Sequence, residues 1–130
     1  MSQENVDAVK RVHERWRRDR GFDPSEFVPD FEIRTPIMEL GTRLHRGQEG
    51  YAAWRASHDE VFTDDRWEVD EFVDLGDRVL VIGSLVLTGR SSGIETRQPA
   101  VQLWSFNEGK FASMTIARTA EEALVAVGRE

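Results

Sequence analysis

Apolar and aromatic side chains first recur at helical spacing. Val6, Val9, His13 and Trp16 stand at i, i+3, i+7 and i+10, one face of a helix. This stripe predicts a helix from about Ser2 to Asp19, stopped by Gly21. Asp23-Pro24-Ser25-Glu26 then has the form of a capping box with proline at the first helical position, so a short helical turn should carry Phe27 and Val28. Phe31, Ile33 and Thr35 alternate with Glu32 and Arg34, a half-buried strand ending at Pro36. Residues 37–46 read as loop or a short hairpin. Tyr51, Trp54, His58 and Val61 repeat the first stripe and predict a second helix from Gln48 to about Phe62.

From Arg66 onward the period changes to two. Strands are expected at Arg66–Leu75, Arg78–Thr88, Glu95–Phe106 and Lys110–Arg118. Gly76-Asp77, a polar loop from Gly89 to Gly93, and an Asn107-Glu108-Gly109 turn join them. Thr119-Ala120-Glu121-Glu122 is another capping box, opening a last helix over Ala123, Leu124 and Val127. Helices followed by an antiparallel meander give an α+β class in which helices cover one face of a sheet. No repeat, low-complexity run or linker divides the chain, so residues 1–130 read as a single domain.

The strand phases carry a further expectation. Leu80, Ile82, Ser84 and Val86 share one face of the second long strand, and Val79, Val81, Gly83, Leu85 and Leu87 share the other. In the next strand Ala100, Gln102, Trp104 and Phe106 alternate with Val101, Leu103 and Ser105. Both faces are apolar, so something must cover the side away from the helices. A second copy of the chain is the economical cover, hence an expected homodimer through the outer sheet face. The alternative is cover by the C-terminal helix.

Composition narrows the partners. Lys and Arg number 17 against 24 Asp and Glu, a net charge of -7, which argues against nucleic acid, since counterion release needs a basic surplus. The one basic cluster, Arg15, Arg17, Arg18 and Arg20, suits the negative end of the first helix dipole. The chain has no cysteine, which excludes disulfides, thiolate metal sites and Cys nucleophiles. The polar start and the absence of a long apolar run give no membrane span or signal peptide, so a cytoplasmic location is expected. Gly47-Gln48-Glu49-Gly50 lacks the preceding strand and the lysine of a phosphate loop and reads as a helix-entry turn.

The whole layout resembles a known family. An amphipathic helix, a capped turn and a strand ending in proline precede a helix after Arg46-Gly47-Gln48-Glu49-Gly50. Then come Gly76-Asp77-Arg78-Val79-Leu80-Val81, the hairpin Trp104-Ser105-Phe106-Asn107-Glu108-Gly109-Lys110, and the terminal Glu121-Glu122-Ala123-Leu124. Together these resemble the SnoaL-like branch of the nuclear transport factor 2-like superfamily, which also holds the ketosteroid isomerases. The resemblance implies a curved antiparallel sheet wrapped around helices into a cone with an internal pocket, usually dimeric. It leaves function open, because that cone hosts isomerases, cyclases, hydrolases, dehydratases and non-catalytic binders.

Few of the family's catalytic residues carry over. Where ketosteroid isomerases place a general-base aspartate before the proline of the first strand, Thr35 precedes Pro36. Their acidic donor matches Gln102 and their phenolic donor on the first helix matches His13. SnoaL-type cyclases share Gln102 but carry histidine where Trp104 stands and aspartate where Arg118 stands. The Asp-Arg-Asp arrangement of limonene-epoxide-hydrolase-like enzymes finds no match.

His13 and Gln102 are therefore the candidate catalytic pair: an imidazole that donates to a carbonyl or shuttles a proton near neutral pH, and an amide that holds a carbonyl or oxyanion. The bland reading of His13 is a core histidine bonded to a backbone carbonyl or to Gln102. Trp16, Thr35, Trp54, His58, Ile82, Ser84, Val86, Trp104, Met114, Ile116 and Arg118 are expected to line a pocket for a small, mostly apolar molecule with one or two oxygens. Those aromatics would otherwise fill the core. Arg118 could meet a ligand anion or bridge to Glu121 or Glu122. His13 and His58, at equivalent points of two stripes, could face each other, but no spacing supplies a third metal ligand. His45 is expected in solvent and Glu39 over the pocket as a lid. Glu71 shares the phase of Trp67 and Val69 and could point inward, but Phe72 in the other phase favours a bulge that turns it outward. No cofactor is implied. If turnover occurs, it is isomerisation, cyclisation or dehydration next to a carbonyl; otherwise the chain is a dimeric binding or assembly module with a filled interior.

Overall fold

The computed structural model describes residues 2–18, 23–37 and 41–128. In chain order these form α1 (Ser2–Arg18), a short 3-10 turn (Pro24–Glu26), β1 (Phe27–Ile37), β2 (Gly41–Arg46), α2 (Gly47–Val61) and β3 (Phe62–Asp74). They continue with β4 (Arg78–Gly89), β5 (Glu95–Asn107), β6 (Lys110–Ala117) and α3 (Ala120–Gly128). Six strands make one open sheet in the order β2-β1-β6-β5-β4-β3. All neighbours are antiparallel except β1 and β6, which run parallel, so the sheet is mixed. The architecture is α+β and cone-like. Gly21 and Glu39, the expected helix stop and lid, lie outside the described residues. Among the described residues no helix is long and apolar enough to cross a membrane.

Local chemistry explains where elements begin and end. Asp23 Oδ1 accepts from the Ser25 amide at 3.0 Å and Pro24 fills the first helical position. The turn lasts only three residues, however. Phe27 is already extended, and its ring packs on Phe31 and Phe111 at 4.6 and 4.9 Å, so Phe27 and Val28 start the strand instead of riding a helix. The strand also continues through Pro36 to Ile37. Beyond Arg34 it pairs with β2 alone, and a proline can sit where one ladder is missing. Residues 41–46 complete that hairpin, and His45 is half-buried opposite Ile33 rather than solvated.

α1 and α2 cover one face of the sheet. Val6, Val9, Val12, Tyr51 and Trp54 pack there against Phe31, Ile33, Val79, Val81, Trp104 and Met114. On the opposite face Leu80, Val101, Leu103 and Ala117 pack against Ala123 of α3, with Val73, Ile82 and Ala120 around them. Thr119 Oγ1 caps α3 by accepting from the Glu122 amide at 3.1 Å. The C-terminal helix is thus the cover for this half of the outer face.

Register corrects one set of site residues. Val81 pairs with Gln102 and Val79 with Trp104, so the odd-numbered phase of β4 turns toward the helices. Ile82, Ser84 and Val86 therefore point to the outer face and cannot line a pocket under α1 and α2. Both phases of β4 are apolar, and only its partner strand selects between them. Glu71 points outward as expected. The β3–β4 register slips between Val69 and Glu71, which turns Phe72 inward and leaves Glu71 exposed. Gly83 faces this bulge, where a Cβ would lie 2.1 Å from the Glu68 carbonyl oxygen.

Candidate functional site

Alternation on β5 places Gln102 and Trp104 side by side on the helix-facing side, and the stripe of α1 brings His13 down onto them. The hydrogen bonds between the three fix each group's protonation pattern. The Trp104 indole Nε1–H can only donate, and it lies 3.0 Å from Gln102 Oε1, so the amide oxygen must face it. His13 Nε2 lies 2.7 Å from the same oxygen. An acceptor faces that nitrogen, so Nε2 carries the proton. In the neutral ring Nδ1 is then the bare lone pair. Burial strips the imidazolium of water and lowers the His13 pKa to about 4, against the pull of the Gln102 bond and with help from the Arg17 charge. Gln102 is fully buried and its Nε2 has no hydrogen-bond partner.

Beside His13 lies a cavity of about 130 Å³, close to the size that admits one six-membered ring. Its wall is mostly apolar and aromatic: Trp16 from α1, Trp54 from α2, Trp67 from β3, Leu85 from β4 and Ile116 from β6. Thr35, His58 and His13 add polar groups, and Arg17, Arg55, Asp65 and Arg66 add charges. The Arg55 guanidinium forks onto the Asp65 carboxylate at 3.1 and 3.2 Å and also meets Asp59 at 3.2 Å. Arg66 is held by Asp64, Glu95 and Glu68 at 2.8, 3.3 and 3.5 Å. His58 Nδ1 donates to the Trp54 carbonyl at 2.9 Å. The Trp16 indole donates to the Tyr51 hydroxyl at 2.7 Å. Two lining side chains keep buried polar atoms without a partner, Trp54 Nε1 and Thr35 Oγ1.

The structure thus brings together His13, Trp16, Thr35, Trp54, His58 and Ile116 around one cavity. Gln102, Trp104 and Met114 sit beneath, fully buried. Arg118 does not join them. Its side chain is 57% exposed and bridges to Glu122 at 3.9 Å, because it lies one residue past the end of β6, where the chain turns into α3. His13 and His58 make no ring contact with each other among the described residues. Contacts run from His13 to Trp16, Trp54 and His58 in turn. No group of three metal-ligating side chains occurs among the described residues. The sequence reading missed Arg17, Arg55, Asp65, Arg66, Trp67 and Leu85. Arg17 was legible in principle, since it follows His13 by four positions on one helix face. Asp65 and Trp67 needed the phase of β3, which is set only by its pairing with β4.

Residues 7–114 match the family described as the SnoaL-like domain. No curated protein matches the sequence. Among solved structures, a nuclear transport factor 2-like protein of unknown function from Burkholderia pseudomallei superposes with a TM-score of 0.76 at 20% identity, covering 95% of this chain and 97% of that one. TerC, co-crystallized with polyporic acid, gives 0.75 at 25% identity, covering 96% and 98%. A SnoaL-like polyketide cyclase from Jannaschia sp. gives 0.72 at 19% identity, covering 99% and 94%.

Proposed function

The chain belongs to the SnoaL-like domain family, and on that premise we propose that its cavity takes up one small, mostly apolar molecule, about one ring in girth, bearing one or two oxygens. The observation that carries this reading is the pair of orphaned groups in the wall. Trp54 Nε1–H and the Thr35 hydroxyl are buried without partners in side chains that line the cavity. Buried polar groups left unpaired cost about 1–3 kcal/mol each, and a small rotation of either side chain into the cavity would give its donor a ligand oxygen as partner. TerC, co-crystallized with polyporic acid, supports the reading as a chain of the same fold that meets a small organic molecule. The test is calorimetric titration with benzyl alcohol. Saturable binding to the native chain that Trp54→Phe weakens about tenfold, with its melting temperature kept, supports the proposal; equal heats from both proteins would sink it.

One observation favours turnover at the same site. His13 presents Nδ1 as a lone pair with a pKa near 4, comparable in strength to the carboxylate bases that remove protons next to carbonyls. In this second reading Nδ1 accepts such a proton while Gln102, beneath, holds the ring in that tautomer through the imidazole Nε2, giving isomerisation, cyclisation or dehydration without a cofactor. Cyclohexanone in heavy water checks it. Deuterium uptake next to the carbonyl, faster with the native chain than with His13→Leu, is the expected result. Equal rates for the two proteins would leave binding alone.

A further inference from the structure

The charges around the cavity are matched except at one point. Arg55 is neutralised by Asp65 and Asp59, and Arg66 by Asp64, Glu68 and Glu95. His13 is held neutral by its burial. Arg17 lines the same cavity and makes no ion pair among the described residues. It also lines the groove between α1 and β3 that contains Asp7, Lys10 and Glu14, yet neither of those carboxylates bonds to it. Its place on α1 is one turn beyond His13, and its charge reaches that imidazole. Arg17 is exposed, so it stands at the mouth while the rings of Trp16, Trp54 and Trp67 stand within. Arg118, the cation that the sequence offered for an anion, is instead tied to Glu122 at the far end of β6.

We infer that the molecule held in the cavity carries a carboxylate on its ring-sized apolar body, and that Arg17 selects for it at the mouth. The inference rests on the cavity reading above and adds the ligand's charge. A guanidinium offers two parallel N–H donors to a carboxylate. Beside an apolar wall that pairing is less screened than on an open surface. Among the described residues that line the cavity, Arg55 and Arg66 already hold carboxylates, which leaves Arg17 as the cation for an anion.

Calorimetry with benzoate and benzyl alcohol, which share a ring and differ in charge, separates the two layers of the argument. Benzoate should bind the native chain about tenfold or more tightly than benzyl alcohol. Arg17→Gln should bring the two together, and Arg17→Lys should restore part of the difference. Lys10→Gln removes a cation that lines the outer groove alone and should leave benzoate affinity within about twofold. Equal affinities for the two probes in the native chain, or an equal loss in Arg17→Gln and Lys10→Gln, overturns the role of Arg17 while the cavity stands. Binding of neither probe to any of these proteins overturns the cavity reading itself.

Discussion

His13 is a buried base whose charge the fold suppresses, and that has a consequence for stability. Its pKa falls from 6.5 in the unfolded chain to about 4 in the native one. Between those values the unfolded chain binds the proton and the native chain does not, so acid favours unfolding. The contribution is fully present above pH 6.5 and is lost as pH falls toward 4, on the order of 3 kcal/mol in all. Urea titrations from pH 7 to 4 should show this decline, and His13→Leu should flatten it. An imidazole that titrates near 6.5 by NMR would contradict the account. The sequence made much of this pair legible. Helical period put His13 inward and strand alternation put Gln102 and Trp104 on one face, with the bond between His13 and Gln102 among the expected outcomes. What periodicity cannot convey is protonation. The tautomer follows from an indole that can only donate, and the lowered pKa from the depth of burial.

At the scale of elements, alternation failed where it was symmetric. β4 is apolar on both faces, and its phase is set by hydrogen-bonded register with β5, a long-range property. Ile82, Ser84 and Val86 went to the wrong side for that reason, while Leu85 took the place by the cavity. β3 illustrates the converse. Its bulge was readable from the clash of phases between Glu71 and Phe72, and the structure places it between Val69 and Glu71. Gly83 is the residue that allows it. Gly83→Ala would drive a Cβ into the Glu68 carbonyl and should cost about 2 kcal/mol or more in chemical denaturation, since a backbone atom cannot swing aside. Unchanged stability would mean that the bulge relaxes freely. Trp67 and Asp65 lie on the same strand, so a shifted register would also remodel the cavity wall.

At the scale of the molecule, the sheet has two apolar faces and the chain supplies a cover for each. α1 and α2 take one. α3 takes the portion of the other around Leu80, Val101 and Leu103. Farther along that face Val86 is flanked in register by Arg66 and Arg97, which pair across the same surface with Glu68 and Glu95. The premise for a second copy is thereby met in part within one chain. A chain ending at Arg118 would bare the cluster under Ala123 and should self-associate in size-exclusion chromatography, where the full chain elutes at a smaller size. Identical elution of the two would show that α3 is dispensable as a cover.

The close approach of the indoles beside the cavity also makes the protein its own optical gauge. Trp16 lies 6.1 Å from Trp54 and 6.0 Å from Trp104, centroid to centroid. At such separations an absorbed photon's energy hops among the three rings before it is emitted. Trp104 is wholly shielded from solvent, yet its light passes through a neighbour on the cavity wall. A guest that darkens Trp16 therefore dims the deepest indole as well, and the emission of the whole trio follows the filling of one small space.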